Sequence, residues 1–555
     1  MSAYLDKPYC PNKVCVNYGV PLATHKKLYH EFGQAKSGAK RYRCKACNKT
    51  FSTGPPGNPT KHQEKPYKNA QVFRGLVNSV AFNRLSETAD ISPSTLYHKI
   101  DFIHRQCMAF VADREKYLPN KKIRRLYIGV DRQEYTINWS SRNDRRNSSM
   151  WSIASADNET GYVFGVHLNY DPSEDPVEVE KGAGTYEAWS PFRKHARLWL
   201  MKDYSESVKQ SRLKAGMVTG KKTWIRTRYD EMAARQDIEA PDEFTDDIIL
   251  PVNGMQVHAE YTIYAHFTLL KRLFQRVGKV RFFLDQDSGM RAACLAAFHD
   301  RIKKDRCDAF YVRINSELSI DEKRRAVNEA RNRFNKVKAA NPGFEDWQVR
   351  LHVLLENMAQ VAPYGRWQDK WVSHPFPNMS EPAKAMCYLT DIHEDYTEDH
   401  KAWLYNKASL HAVDRFFMMA RRRIRLLERP GVSASYTRHK FFIYSPYNPA
   451  MVAKLLDIFR VWHNYIFLTP DRDDKKKWES PEDKGLRKRN KETEQQENRK
   501  ELKRKRTPAM RLGLAQGPVK FEDIIYYTPQ PSTQYQARIQ EATGSPDSSP
   551  SPRSN

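Results

Sequence analysis

Two cysteine pairs constrain the start of this 555-residue chain more than any other feature. Cys10-Pro-Asn-Lys-Val-Cys15 and Cys44-Lys-Ala-Cys47 each set two thiolates close together, with a longer loop between the pairs. A tetrahedral zinc ion takes four thiolates, and two such knuckles supply them. Arg41-Tyr42-Arg43 before the second pair and Lys49-Thr50-Phe51 after it read as the arms of a hairpin. A segment this short has little apolar core. Structural Zn2+ on Cys10, Cys15, Cys44 and Cys47 is therefore expected to hold residues 1–56 as a zinc ribbon. The other cysteines, Cys107, Cys294, Cys307 and Cys387, are scattered, which speaks against a disulfide framework.

The formal net charge is +27. Such a chain attracts polyanions, of which nucleic acid is the commonest, and solubility alone needs much less charge. An apolar fraction of 40% is enough for a packed core. No apolar run approaches the length that spans a bilayer, and the first residues lack the order of a signal peptide. No membrane association and a cytoplasmic location are expected.

After a Pro/Gly-rich break at residues 54–59, Leu76 and Val80 are spaced for one helical face. Residues 84–100 then read as short helix, turn and second helix. Ser92 suits the cap of the second helix and Pro93 its first position. Leu85, Ala89, Ile91, Leu96 and Ile100 are expected to form the core between the two. Ser94, Thr95, Tyr97, His98 and Lys99 then fall on exposed faces, as in a helix-turn-helix meeting bases and phosphates, within a domain at 57–120. An ordinary helical hairpin gives the same pattern.

Residues 121–470 read as an α/β core. In Arg125-Leu-Tyr-Ile-Gly-Val-Asp131 the apolar Leu126, Ile128 and Val130 share one strand face, and Asp131 lies on the other. Trp151 to Ala156 and Tyr162 to Leu168 read as the next two strands of a meander. An acid in the first of three meandering strands is how a ribonuclease H-like sheet begins. Polar segments near 172–255 and 318–405 read as insertions, the second containing a charged helix at 319–340. Ile263, Phe267, Leu270, Leu273 and Val277 form one helical stripe. Val280-Arg-Phe-Phe-Leu-Asp285 reads as a fourth strand ending in an acid, with Asp287 beyond it, and Asp308 to Ile314 as a fifth.

The segment 409–430 reads as one helix stopped by Pro430. Val413, Phe417, Ala420, Ile424 and Leu427 mark its buried stripe, and Asp414, Arg421, Arg422 and Arg425 lie on or near one side of it. An acid beside a row of guanidiniums makes sense if the acid holds a metal and the arginines hold phosphates. Asp131, Asp285 and Asp414 thus stand out as catalytic candidates. Carboxylates brought together repel unless a cation intervenes. Two Mg2+ ions about 4 Å apart would resolve that and support in-line phosphoryl transfer. Asp287 is the rival to Asp285, and Glu428 the rival to Asp414. On one helix Glu428 would sit about 21 Å from Asp414, so both cannot serve one site.

From Cys10 to about Leu468 the chain resembles DDE/DDD transposases of bacterial insertion sequences. The order of cysteine pairs, helix-turn-helix and acidic core carries the resemblance. So do the segment from Val413 to Arg429, similar to the family's last catalytic helix, and residues 441–449 and 460–465, similar to its closing segment. Here the third acid is Asp rather than the usual Glu. The spacing from Asp285 to Gly289 resembles the second acid of Mutator-like transposases, while Asp287-Ser-Gly289 resembles the Asp-x-Gly of other integrase-type cores. The resemblance implies cleavage of double-stranded DNA at element ends and transfer of the 3′-hydroxyl to target DNA. It also implies a homo-oligomer on DNA and association with the bacterial nucleoid. The other readings are a DNA-binding regulator with an idle site and a nuclease that cuts without joining.

Residues 471–555 are expected to be a charged linker and largely disordered tail, with some order regained at 507–514. The expected fold class is α+β multidomain: a zinc ribbon, a helical helix-turn-helix and a ribonuclease H-like core with insertions.

Overall fold

The computed structural model describes residues 9–12, 14–22, 25–34, 40–52, 59–60, 63–138, 141, 143–185, 192–217, 244–245, 247–286, 289–315, 318–365, 367–392, 396–428, 444–470 and 505–528. It is an α+β protein in two compact units. The first comprises Met1–Leu76, Phe82–Lys116 and Val519–Asn555, the second Val77–Ala81 and Tyr117–Pro518. No described helix is long and apolar enough to cross a membrane.

In the first unit, β1 (Tyr29–Gln34), β2 (Lys40–Cys44) and β3 (Thr50–Ser52) form an antiparallel sheet in that order. Its small core joins Leu22 and Tyr29 to the cysteines. Helices α1 (Asn69–Leu76), α2 (Phe82–Ala89) and α3 (Pro93–Glu115) follow. Helix α1 stops at Leu76, so Val80 falls outside it. A Cβ on Gly75 would collide with Leu85, so the missing side chain lets α1 approach α2. Leu85, Ala89, Leu96 and Ile100 are buried, and Ile91 is half-buried. Ser92 caps α3, accepting from the Thr95 N–H at 3.1 Å. The chain returns to this unit near its end. The short helix Phe521–Ile525 sets Phe521 edge-on to Phe73 at 4.9 Å, and Gln106 Nε2 donates to the Ile525 and Tyr527 carbonyls at 2.9 and 2.8 Å. The tail expected from 471 on is therefore revised: residues 505–528 are folded, and 519–528 belong with the N-terminal helices. Residues 471–504 and 529–555 lie outside the described residues.

The second unit is built on one mixed sheet. Strands β4 (Ile123–Ile137), β5 (Ser148–Asp157) and β6 (Val163–Leu168) make the antiparallel meander. The short pair β7 (Tyr170–Asp171) and β8 (Met255–Gln256) brackets helices α4 (Pro176–Ala183) and α5 (Met201–Met217). Helix α6 (Ala259–Leu273), strand β9 (Val277–Asp285), helix α7 (Met290–Ile302) and strand β10 (Cys307–Arg313) follow. Val277 begins β9 rather than ending the preceding helix. Helices α8 (Ile320–Ala340) and α9 (Asp346–Ala359) precede β11 (Trp371–Ser373) and β12 (Ala385–Tyr388). The sheet order is β11-β12-β10-β9-β4-β5-β6, with β4, β9 and β10 parallel. The segment 318–405 is thus more than an insertion, because β11 and β12 extend the sheet.

Helix α10 (Glu398–Lys407), helix α11 (His411–Arg423) and helix α12 (Pro449–Val461) follow, and the short helix Pro508–Leu512 belongs to the same unit. The parallel strands are buried on both faces, as helix-covered strands require. Phe282 packs between Phe267 of α6 and Phe298 of α7 at 5.5 and 4.7 Å, while on the other face Phe283 meets Phe310, which is edge-on to Tyr405 of α10. The single helix expected over 409–430 ends at Arg423. Ile424 is extended (φ −109°, ψ 110°), and only a short 3-10 turn, Arg425–Leu427, follows. The stripe survives the break: Val413, Phe417, Ala420, Ile424 and Leu427 are all buried.

Candidate functional site

Strand register brings the first two acids together. Val130 pairs with Leu284 across the parallel β4–β9 ladder, so Asp131 and Asp285 are the next position along each strand. Tyr127 and Arg281, four residues earlier, pair in the same register, and Arg281 Nη1 donates to the Tyr127 hydroxyl at 3.1 Å. Side chains repeat on a face every two residues, so Asp131 and Asp285 share that face as well.

The third acid comes from the helix laid over it. A Cβ on Gly129 would sit 3.4 Å from Val413 Cγ1 and 3.6 Å from the Leu410 Cα. The start of α11 thus packs closely on β4 two residues before Asp131, where a Cβ would be in van der Waals contact with the helix. Asp414, in the first turn of α11, hydrogen-bonds Asp131 and feels the charge of Asp285. Burial, then Asp285 and Glu381, push the Asp414 carboxyl up to about 7, against the Asp131 hydrogen bond and the Arg421 charge. Asp131 also accepts from the Arg132 N–H at 2.7 Å. The three predicted acids therefore meet in one cluster. Asp287 lies outside the described residues.

Glu381 is a fourth acid that sequence reasoning missed. It is 4% exposed and sits in the loop between β11 and β12. Its carboxylate accepts from Lys384 Nζ at 2.9 Å, from the Leu410 N–H at 3.2 Å and from the Ser409 hydroxyl. Burial works against its ionisation, but Lys384 and these hydrogen bonds hold its carboxyl below the usual range. It thereby fixes the start of α11 and keeps a negative charge near Asp414. Ser380-Glu381-Pro382 carries no local signal that announces this role, because the partners come from residues 384 and 409–410.

The arginines separate. Arg421 reaches toward the cluster, where its charge favours ionised Asp414, and donates to Gln133. Arg422 is exposed. Arg425, beyond the helix break, stacks 3.7 Å over Tyr444 and pairs with Glu428. The expected row on one helical side is thus corrected, because Ile424 turns the backbone. Glu428, exposed and paired, is not on the helix that carries Asp414.

The cysteine site forms separately in the first unit. The ligand sulfurs of Cys10, Cys15, Cys44 and Cys47 all lie within 4.8 Å of one another. Cys10 and Cys47 sulfurs are 3.5 Å apart, Cys15 and Cys44 sulfurs 3.7 Å. A tetrahedron with Zn–S bonds near 2.3 Å has sulfur–sulfur edges of about 3.8 Å, so the set fits zinc. Asn17 supports it, its side-chain Nδ2 approaching Cys44 Sγ at 3.3 Å and its backbone N–H approaching Cys15 Sγ at 3.4 Å. Such N–H···S contacts orient thiolate ligands.

Of the residues expected on the exposed faces of α3, Ser94, Tyr97 and His98 are exposed and Thr95 is half-buried. Lys99 is a correction. It is 3% exposed, and its Nζ donates to the Glu64 and Lys65 carbonyls and to Asn69 Oδ1 at 2.8–2.9 Å. Its position on α3 faces the segment before α1, so it holds the unit together and is not available to a partner.

No protein-family model and no curated protein matches this chain.

Proposed function

We propose that the chain is a DDD-type transposase that cuts double-stranded DNA at the ends of an insertion sequence and joins them to target DNA by metal-dependent phosphoryl transfer. The observation that carries this reading is the meeting of Asp414 with Asp131 and Asp285, acids far apart in sequence that come from two parallel strands and an overlying helix. A role in stability does not account for the cluster, since three neighbouring carboxyls repel. The meander β4-β5-β6 and the parallel strands β9 and β10 in one sheet further support the ribonuclease H-like expectation.

The donor set is all carboxylate oxygen, which suits Mg2+ rather than a softer metal. Asp131, Asp285 and Asp414 would hold the ion. When bound, Mg2+ neutralises developing charge and activates the attacking oxygen. The chain's own residues position that chemistry. Helix α11 packs over Gly129, Glu381 fixes its first turn, and Arg421 places a positive charge beside the acids. A zinc ribbon over the cysteine site and a helix-turn-helix formed by α2 and α3 would engage the element ends, with Ser94, Tyr97 and His98 outward on α3 and Thr95 at its margin. A homo-oligomer on paired ends belongs to the same reading.

The test is an in vitro cleavage and strand-transfer assay with magnesium, using the DNA that flanks the gene as candidate ends. Asp131→Asn, Asp285→Asn and Asp414→Asn, each verified as folded by circular dichroism, are expected to lose both cutting and joining. Normal cutting and joining by all three overturns the reading. Cutting without joining in the unsubstituted chain makes it a nuclease, and binding without chemistry makes it a regulator.

A further inference from the structure

Helix α8 differs from the other long helices of the second unit. It runs for 21 residues without one buried side chain. Its start is secured locally by a capping box, with Ser319 and Glu322 bonding each other's backbone. One side rests on α9: Arg333 reaches Glu356 and Asn357 at 3.1 Å, and Lys338 pairs with Asp346. Ala326, Val327, Ala330, Phe334 and Val337 are half-buried on that side, with Phe334 edge-on to Phe376 at 5.7 Å.

The side facing away has an ordered composition. At 100° per residue, Asn328, Asn332 and Asn335 run down its centre, and all three are exposed. Arg324 and Arg331 flank them on one edge. Arg325 and Lys336 flank them on the other, with Glu329 just outside that edge, and Asp321, in the first turn before Arg324, lies on the face itself. These four cations are exposed too. Arg324 pairs with Asp321 at 3.4 Å in full solvent, a contact worth little. Arg331 and Lys336 make no ion pair among the described residues. From Arg324 to Lys336 no acid lies between the two cationic edges, whereas a solvated face chosen for solubility alone has no need to sort its amides to the middle and its cations to both edges, and it commonly interleaves acids.

That sorting matches one polyanion. The major groove of B-DNA is about 12 Å wide, admits an α-helix, and is walled on both sides by phosphates. Asparagine amides pair with adenine edges at the groove floor, and arginine or lysine pairs with the walls. From Arg324 to Lys336 the helix rises about 18 Å, a little over five base-pair steps at 3.4 Å each. We propose that the outer face of α8 lies in the major groove of double-stranded DNA, its asparagines toward the base edges and its two cationic edges toward the phosphates. This inference shares its partner with the proposed function, and it stands on the α8 surface rather than on the acid cluster.

The test uses the full chain and a fluorescent mixed-sequence DNA duplex of about two helical turns, followed by anisotropy over a salt series with no magnesium added. Without magnesium, a failure of the catalytic reading leaves the result untouched. The quadruple variant Arg324→Gln, Arg325→Gln, Arg331→Gln and Lys336→Gln is expected to weaken binding. It should also flatten the slope of log K against log salt by about 0.9 for each phosphate no longer neutralised, up to about 3.6. The triple variant Asn328→Ala, Asn332→Ala and Asn335→Ala is expected to keep the slope and to lose the preference among duplexes that differ in adenine content and position. All seven side chains are exposed, so helicity should persist, and circular dichroism checks it. An unchanged slope and affinity in the quadruple variant overturns the proposal. If the triple variant discriminates duplexes as the unsubstituted chain does, or if A-form double-stranded RNA binds equally well, the groove assignment is overturned and α8 is a backbone clamp.

Discussion

Asp414 retains a proton where an ordinary aspartate has lost it, and this gives the acid cluster a measurable signature. Its carboxyl moves from 3.8 to about 7, first through burial and then through Asp285 and Glu381. Between about pH 4 and about pH 7 the folded chain holds a proton that the unfolded chain has released. The contribution of this group to stability therefore falls as pH rises through that window, and is constant above it. The full penalty above pH 7 is at most about 4 kcal/mol. A divalent cation binds the ionised form and must displace the proton. With a midpoint near 7, Mg2+ binding should release about 0.9 proton at pH 6 and about 0.1 at pH 8. Calorimetric titration of Mg2+ into the full chain, in two buffers of different ionisation enthalpy at each pH, measures that number directly. Asp414→Asn should abolish the pH-dependent release and weaken Mg2+ binding. Without magnesium, it should raise the denaturant midpoint of the chain at about pH 8 and change it little near pH 4. Equal proton release at both pH values, or release that survives the substitution, refutes the assignment of that proton to Asp414. A substituted chain that is less stable at pH 8 refutes the claim that the ionised carboxylate is a burden there.

Freshly purified protein should contain one structural zinc per chain on Cys10, Cys15, Cys44 and Cys47, read by elemental analysis; Cys44→Ser should lower that content and expose residues 9–52 to proteolysis, and zinc-free protein with an intact N-terminal segment would exclude the assignment. Lys99→Met should destabilise the first unit by roughly 2–4 kcal/mol, because one buried and two part-buried acceptors lose their common donor. Its effect on DNA binding should follow only from that unfolding, so a stable Lys99→Met chain with impaired binding would return Lys99 to the partner-facing surface.

Much of the local architecture is legible in the sequence, because it depends on neighbours along the chain. The two-residue alternation from Leu126 to Val130 marks a strand whichever sheet receives it, and Ser92-Pro93 begins a helix by local hydrogen bonding and a fixed φ. Cys10/Cys15 and Cys44/Cys47 are recognisable because each pair closes half a coordination shell within a few residues. The buried stripe from Val413 to Leu427 is read correctly even though the helix is not continuous, since extended Ile424 still turns its side chain inward. The sequence marks Asp131, Asp285 and Asp414 as one candidate set without the contacts that join them.

Their convergence was decided by tertiary structure. The β4–β9 register sets Asp131 beside Asp285, and the packing of α11 over Gly129 brings Asp414 onto them; a one-residue slip would have turned either strand acid to the opposite face. Long-range contacts also bury Lys99 against the Glu64 and Lys65 carbonyls, enlist Glu381 at the start of α11, and return Phe521 to Phe73. Residue type and periodicity state what a side chain can do and which face it takes. Which partners share that face depends on register and on the approach of elements distant in sequence, and those are properties of the packed fold.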